Sequence, residues 1–140
     1  MTTTLTLPYS RPPITSNEAA RSNGRAHAST RKQMRYTASV LAKANKVGVH
    51  PRSDVMCTWY VPDLIHRDAG SLSALLKASI DGLVDAGVWP DDWFAYVRTE
   101  SCRIELDREN PRIELTITPI WEPNPMHPPE FQMQPGGTTR

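Results

Sequence analysis

Charged side chains of the kinds that handle phosphate and metal ions lie near the two ends of one predicted helix. Asp68 and Lys77 lie near its start, and Asp91 and Asp92 follow its end. Magnesium prefers oxygen ligands, and one or two carboxylates can suffice where a substrate phosphate supplies more oxygen atoms. A bound metal ion can activate water and neutralise the charge on a departing oxygen. Simpler readings stay open: Asp91 and Asp92 are common turn residues, Lys77 can pair with Asp81 four residues on, and Asp68 can complement the helix dipole.

The helix between these residues is predicted to begin near Gly70 and Ser71, where a serine oxygen can accept a backbone N–H of the first turn. Its apolar residues recur at spacings of three and four, which is typical of a buried helix face: Leu72, Leu75, Leu76, Ile80, Leu83 and Val84. Gly87 favours the left-handed conformation that ends many helices, and Pro90 introduces a turn. For Asp92 to meet the helix, the chain after this turn must run back alongside it.

This stretch resembles the RusA-type Holliday junction resolvases, small phage and prophage endonucleases that cut four-way DNA junctions. Their pattern is Asp-x-Asp-Asn-Leu-x-Lys at the helix start and Gly-Val-x-x-Asp-Asp at the close. Residues 87–92 of this chain read Gly-Val-Trp-Pro-Asp-Asp, and Lys77 stands at the lysine position. The opening departs from the pattern, because Ser71 and Ser73 stand where two aspartates are expected and Ala74 replaces the asparagine.

The resemblance extends more loosely from Leu5 to about Ile120, and it implies a magnesium-dependent endonuclease that acts on four-way DNA junctions as a homodimer. By position, Asp92 would be a metal ligand and a catalytic residue, with Asp91 as the neighbouring acid. Lys77 would be the catalytic lysine that stabilises developing negative charge.

Two functions stay open, because a hydroxyl is a much weaker magnesium ligand than the carboxylate it replaces. The first is a junction endonuclease whose site is weakened by Ser71, Ser73 and Ala74, with Asp68 as a third metal ligand three residues out of register. The second is a catalytically inactive relative that binds branched DNA, or a host protein, without cutting. No zinc site is expected, because the histidines and cysteines lack zinc-ligand spacing.

The charge of the chain is divided unevenly along its length. Residues 1–52 carry nine basic residues and one acidic residue, a net charge of +8, whereas residues 53–140 have a net charge of −7. Such asymmetry suggests an acidic partner for the first part, with nucleic acid the usual one; a solvated basic face is the alternative. The candidate DNA-binding residues are Arg11, Arg21, Arg25, Arg31, Lys32 and Arg35.

The remaining segments predict an α/β (α+β) domain over residues 1–120, with two helices on one face of a mixed four-stranded sheet in the order β-α-β-α-β-β. The other elements are predicted at Thr2–Pro8, from Ser29 or Thr30 to about Val47, and at Asp54–Val61, Trp93–Leu106 and Arg112–Ile120. Asp54–Val61 is apolar on both faces, which favours a central strand, and the last two strands are predicted to form a hairpin. Residues 15–27 are expected to form a loop, and the proline-rich tail 121–140 to be disordered or laid along the surface.

The sequence also carries signals about the cellular setting. No charged and apolar leader of the secretory type is expected at the start of the chain, and no apolar run approaches the length of a membrane span. Cys57 and Cys102 lie in apolar, strand-like contexts, which favours buried free thiols over a disulfide. We therefore expect a cytoplasmic protein.

Overall fold

The computed structural model describes residues 1–21 and 27–120, so the predicted tail 121–140 lies outside the described residues. The strands are β1 (Thr3–Leu7), β2 (Ser53–Val61), β3 (Val97–Leu106) and β4 (Arg112–Pro119). The helices are α1 (Ser16–Arg21), α2 (Ala28–Ala44) and α3 (Ser73–Asp85), and a 3₁₀ turn at Ala69–Leu72 leads into α3. This single α+β domain with one mixed sheet confirms the predicted fold class.

The sheet has the strand order β1-β4-β2-β3, which places β2 in its interior. Strand β2 runs antiparallel to β4 and parallel to β3. Cys57 in the middle of β2 therefore has Leu115 as its neighbour on one side and Cys102 on the other. The prediction that this strand is central is confirmed, and the helix α3 supplies the crossover that a parallel pair requires.

The predicted hairpin between the last two strands is wrong, because β2 lies between β3 and β4. The short link after β3 crosses the end of β2, where the backbone N–H of Asp107 donates to the carbonyl of Val61 at 2.8 Å. Strand β4 then pairs with β2 on one side and β1 on the other, and its residues Ile113 and Leu115 are fully buried. The alternation along β4 identified the buried face but carried no information about which strand lies beside it.

A short helix, α1, replaces part of the loop predicted between residues 15 and 27. Thr15 and Glu18 form a capping box: Thr15 Oγ1 accepts the Glu18 N–H at 3.2 Å, and a Glu18 carboxylate oxygen accepts the Thr15 N–H at 3.1 Å. These hydrogen bonds lower the pKa of Glu18. Ser16 Oγ donates to the Gly70 carbonyl at 3.0 Å and hydrogen-bonds Ser73 Oγ, so α1 lies against the opening of α3. Residues 22–26 of that segment lie outside the described residues.

One hydrophobic core joins the sheet to α2 and α3. Its buried members include alternate residues of the sheet and the inward faces of both helices: Leu5, Leu7, Val55, Cys57, Ile113, Leu115, Met34, Ala42, Leu75, Ile80 and Leu83. Cys57 and Cys102 are both free thiols, as predicted, but only Cys57 is buried, and Cys102 is half-buried. Burial raises the pKa of Cys57 to about 12. No helix in the described part of the chain is long and apolar enough to cross a membrane.

The two long helices approach each other closely at Gly82 of α3. A Cβ atom added there would lie 2.1 Å from the carbonyl oxygen of Arg35 and 2.8 Å from the Cβ of Ala38. Beside this contact, the Arg35 guanidinium binds both carboxylate oxygens of Asp85, at 2.6 and 2.7 Å. The absence of a side chain at Gly82 therefore sets the distance between α2 and α3.

We predict that Gly82→Ala destabilises the protein, because the new methyl group would meet the α2 backbone and force the helices apart. The expected loss is about 1–3 kcal/mol in the free energy of unfolding, even though alanine is the better helix former by about 1 kcal/mol. Urea denaturation followed by circular dichroism measures this difference. Gly70→Ala is the matched control, since a Cβ at Gly70 meets nothing within 4 Å. Equal stability of the two variants would contradict the role assigned to Gly82.

Candidate functional site

Lys77 of α3 meets Asp92 where the chain returns along the helix, as the sequence required. The Lys77 ammonium hydrogen-bonds Asp92 Oδ2 and lies 3.3 Å from Asp81 Oδ1, one helical turn further along α3. The Lys77 side chain is 57% exposed, whereas that of Asp92 is 24% exposed. The cation therefore reaches from solvent onto two more enclosed carboxylates. We call Lys77, Asp81 and Asp92 the lysine–aspartate site.

The end of α3 fixes the direction of the returning chain. Gly87 has a φ of +87°, its N–H donates to the Val84 carbonyl at 2.9 Å, and the Val88 N–H donates to the Leu83 carbonyl at 3.0 Å. These two bonds form a Schellman motif, for which glycine is the favoured residue. The buried Trp89 then anchors the chain, because its indole N–H donates to the Pro51 carbonyl at 3.1 Å. Asp91 and Asp92 follow directly from this anchor.

The charges of this region are paired. The Lys77 ammonium lowers the pKa of Asp92, and the Asp92 carboxylate raises the pKa of Lys77. The Arg35 guanidinium likewise lowers the pKa of Asp85. Both cations thus come from the helices α2 and α3, and each holds at least one carboxylate in its ionised form.

The other acidic residues predicted as metal ligands do not converge on the same point. Asp91 Oδ1 accepts the backbone N–H of Asp92 at 2.7 Å, so it bonds its own chain neighbour. Asp68 is exposed and lies 3.5 Å from the His66 imidazole. Of the predicted ligands, only Asp92 is part of the lysine–aspartate site, and Asp81 is its second carboxylate.

Ser71 and Ser73, which replace the expected acids, also differ in role. The prediction that Ser71 caps the helix is wrong, because no side chain caps the 3₁₀ turn or α3, whose N-cap residues are Asp68 and Leu72. Ser73 lies one turn before Lys77 on the same side of α3, and its hydroxyl bonds Ser16 of α1. The opening of α3 is therefore held by α1 rather than by its own cap.

The carboxylates of the site bear on whether it could hold magnesium, which prefers oxygen ligands. Within residues 1–21 and 27–120, no group of three or more His, Cys, Asp or Glu side chains is placed to hold a metal ion. Asp81 and Asp92 give two carboxylates, but the Lys77 ammonium lies between them. The predicted ligands Asp68, Asp91 and Asp92 therefore do not lie together as one group in the part of the chain that the structure describes.

Most of the predicted DNA-binding residues lie on α1 and the first turns of α2. Arg21 is the last residue of α1, and Arg31 and Lys32 belong to the opening turns of α2, which carry no acidic residue. Arg11 lies near Glu18 of α1 and contributes to lowering its pKa. Arg35 is engaged with Asp85, so it ties the two helices together as well as adding positive charge. Arg25 lies outside the described residues.

Sequence reasoning missed the ion pair between Arg35 and Asp85, which are fifty residues apart and carry no shared motif. It gave Asp81 only as a helical partner of Lys77, which the structure includes among the contacts of the site. It also assigned no role to the exposed aromatic residues Tyr36, Trp93 and Phe94. An aromatic residue on the polar side of an amphipathic helix, as at Tyr36, is the signal that was available.

No protein-family model matches this chain, and no curated protein matches it. The resemblance to the RusA-type resolvases therefore stays a prediction from the residues that match the family's pattern, chiefly Lys77 and residues 87–92.

We predict that Lys77→Met raises the pKa of Asp92 towards its ordinary value, because the variant removes the ammonium that stabilises the carboxylate. A depressed pKa in the folded protein contributes stability above the unfolded value, and that stability is lost as the pH falls through the folded value. The variant should therefore lose less stability than the wild type on acidification below about pH 4. NMR titration of the Asp92 carboxyl carbon measures the shift directly.

Lys32→Met is the control for this titration, since Lys32 lies on α2 outside the lysine–aspartate site. It should leave the Asp92 titration unchanged. An Asp92 pKa that is equal in the wild type and in Lys77→Met would show that the ion pair does not form in solution.

Proposed function

We propose that this protein acts on branched DNA as a RusA-like junction endonuclease with a weakened site. The observation that carries the proposal is the contact between Lys77 and Asp92. These two residues match the helix lysine and the closing aspartate of the RusA pattern, and they are fifteen residues apart in sequence. The fold brings together the two parts of the pattern that the sequence retains.

The position of the basic residues supports DNA as the substrate. Arg21, Arg31 and Lys32 lie on α1 and α2, and Arg35 links α2 to Asp85 of α3. A duplex that contacts the opening of α2 would therefore run close to α3. Lysine and arginine side chains bind phosphates largely without regard to sequence, so this surface would supply affinity rather than sequence preference.

Magnesium and a homodimer belong to the same proposal. Asp92 with a DNA phosphate would supply oxygen ligands of the kind that magnesium takes, since it is often held by one or two carboxylates together with substrate phosphates. A four-way junction has approximate two-fold symmetry, and an isologous dimer presents two equivalent sites to opposed strands.

A second function is favoured by the placement of the acids. The Lys77 ammonium contacts both Asp81 and Asp92, and Asp68 lies instead beside His66. This arrangement is suited to a relative that binds branched DNA, or a host protein, without cutting. The two functions share the DNA-binding surface and differ in whether the lysine–aspartate site supports hydrolysis.

We predict that replacing Arg21, Arg31 and Lys32 with alanine weakens DNA binding and flattens its salt dependence. Each lost phosphate contact on duplex DNA reduces the slope of log affinity against log salt by about 0.9. Arg35 is left in place, because removing it would also break the link to Asp85. Fluorescence anisotropy with a labelled junction at several salt concentrations measures both quantities.

The charge-matched control replaces Arg98, Arg103 and Arg108, which lie on β3 and just after it. This variant has the same net charge, and it should keep the wild-type slope to within about one contact. If the wild type and the variant lacking Arg21, Arg31 and Lys32 show equal slopes, the DNA-binding surface must lie elsewhere on the molecule.

We predict that the triple variant Ser71→Asp, Ser73→Asp and Ala74→Asn nicks a four-way junction with magnesium faster than the wild type. The change restores the opening of the RusA pattern, and position 73 lies one turn before Lys77. Two acids at a helix N-terminus suit the helix dipole, and asparagine in place of alanine costs roughly 0.6 kcal/mol of helix propensity. The Ser16 hydroxyl can donate to a new carboxylate at position 73 if it gives up its present bond to the Gly70 carbonyl.

Adding Asp92→Asn to this triple variant is the control, and it should remove the gain in cleavage. Asp68→Asn in the wild-type background tests whether Asp68 stands in for the missing acids. All four proteins are compared in one junction-cleavage assay, with folding checked by circular dichroism and the dimer mass by light scattering. A folded triple variant that binds junctions without nicking them would contradict the endonuclease proposal and support the second function, binding without cleavage.

A further inference from the structure

A groove on the outer side of α2 combines aromatic, cationic and hydrogen-bonding side chains. It has a volume of about 440 Å³ and lies between α2 and Tyr9, just after β1. Its lining consists of Tyr9, Ser29, Lys32, Gln33, Tyr36 and Thr37. The α2 members are spaced by three, four, seven and eight residues, so they lie on one side of the helix.

The two tyrosines differ in how they are held. Tyr9 is partly buried and packs against the hydrophobic core, so it forms a fixed wall of the groove. Tyr36 is 71% exposed, and no ring contact to it is found within the described residues. Its backbone is held in the middle of a 17-residue helix. Tyr36 therefore presents a large aromatic surface to solvent from a rigid support.

The charge of the groove is positive. Its lining contains Lys32 and no acidic residue. Lys32 precedes Tyr36 by four residues, so the ammonium and the ring lie next to each other on the helix surface. The one acid of residues 1–52, Glu18, is engaged with Thr15 in the capping box of α1. An anion with an attached aromatic ring matches this combination of groups.

We propose that this groove binds an unpaired nucleotide of a DNA strand, with the base stacked on Tyr36 and its phosphate on Lys32. Aromatic side chains accept any base, since every base has a π face, and a neighbouring cation follows the backbone. Ser29, Gln33 and Thr37 offer donors and acceptors to the edges of the base. Bases inside a duplex have both faces covered, so only an unpaired nucleotide can stack in this way.

The inference deepens the proposed function, because it rests on DNA binding by α2 and names the part of the DNA that α2 selects. A nucleotide left unpaired at a branch point, in a flap or in a gap would enter the groove. Phosphates of the adjoining duplex would meet Arg31 and the other basic residues of the helix opening. The protein would then distinguish branched or interrupted DNA from continuous duplex through Tyr36.

The test compares binding of a labelled 15-nucleotide oligothymidylate with binding of a 15-base-pair duplex by fluorescence anisotropy. Tyr36→Leu removes the ring and should weaken single-strand binding at least about fivefold, the lower limit expected for one stacked base, while leaving duplex binding unchanged. Tyr36→Phe keeps the ring and should bind like the wild type. Val40→Ala is the matched control, since Val40 is an exposed residue of the same helix outside the groove.

Photocrosslinking gives a second readout that does not depend on affinity. An oligonucleotide containing 5-iododeoxyuridine should crosslink to Tyr36 or Tyr9, as located by mass spectrometry. Crosslinks confined to other regions, or a Tyr36→Leu variant that loses nothing on the single strand, would overturn the inference. Competition by thymidine monophosphate at concentrations close to those of the oligonucleotide would assign the groove to free nucleotides and overturn strand binding.

The failure of this inference is distinguishable from the failure of the proposed function. Junction binding that is weakened by replacing Arg21, Arg31 and Lys32 but is unchanged in Tyr36→Leu would support the proposed function. It would contradict the proposal that the groove binds a nucleotide. A wild-type protein that binds neither single strands, duplex nor junctions would reject both.

Discussion

The close approach of α2 and α3 at Gly82 is the contact on which the rest of the molecule depends. A residue with a Cβ at this position would collide with the α2 backbone at the Arg35 carbonyl. The approach allows Arg35 to reach Asp85, and it brings the guanidinium close enough to Asp81 and Asp92 for their charges to raise the pKa of Arg35 further. The absence of a side chain at Gly82 therefore allows an ion pair between Arg35, in the basic part of the chain (residues 1–52), and Asp85, in the acidic part (residues 53–140).

The ion pairs of the lysine–aspartate site are partly exposed to solvent. Exposed ion pairs contribute less than about 1 kcal/mol each, because water competes with both partners. The Lys77 side chain is more than half exposed, so its ammonium can leave Asp92 for an incoming phosphate at little cost. A phosphate group that approaches α3 would draw Lys77 away and leave Asp92 with an unpaired charge.

The sequence predicted those features that depend on local periodicity or on a single residue type. The apolar spacing located α3, Gly87 located its end, and the two-sided apolar pattern of residues 54–61 located the central strand. The sequence did not reveal that β2 lies between β3 and β4. The alternation of apolar and polar residues specifies which face of a strand is buried, but not which strand pairs with it. Thr15 and Glu18 have the spacing of a capping box in the sequence, but the segment was predicted to be a loop. The groove was not predictable, since Tyr9 and Lys32 come together only through the packing of α2 beside β1.

The serines at the opening of α3 have a structural role that bears on the choice between cutting and binding. Ser16 Oγ donates to the Gly70 carbonyl, and either hydroxyl can donate in the bond between Ser16 and Ser73. A carboxylate at position 73 has no proton to give, and it would compete with Gly70 for the proton of Ser16. The contact that holds α1 against α3 thus favours a hydroxyl where the RusA pattern has an acid. The opening of α3 is therefore held by its contact with α1, and the hydroxyl of Ser73 is part of that contact.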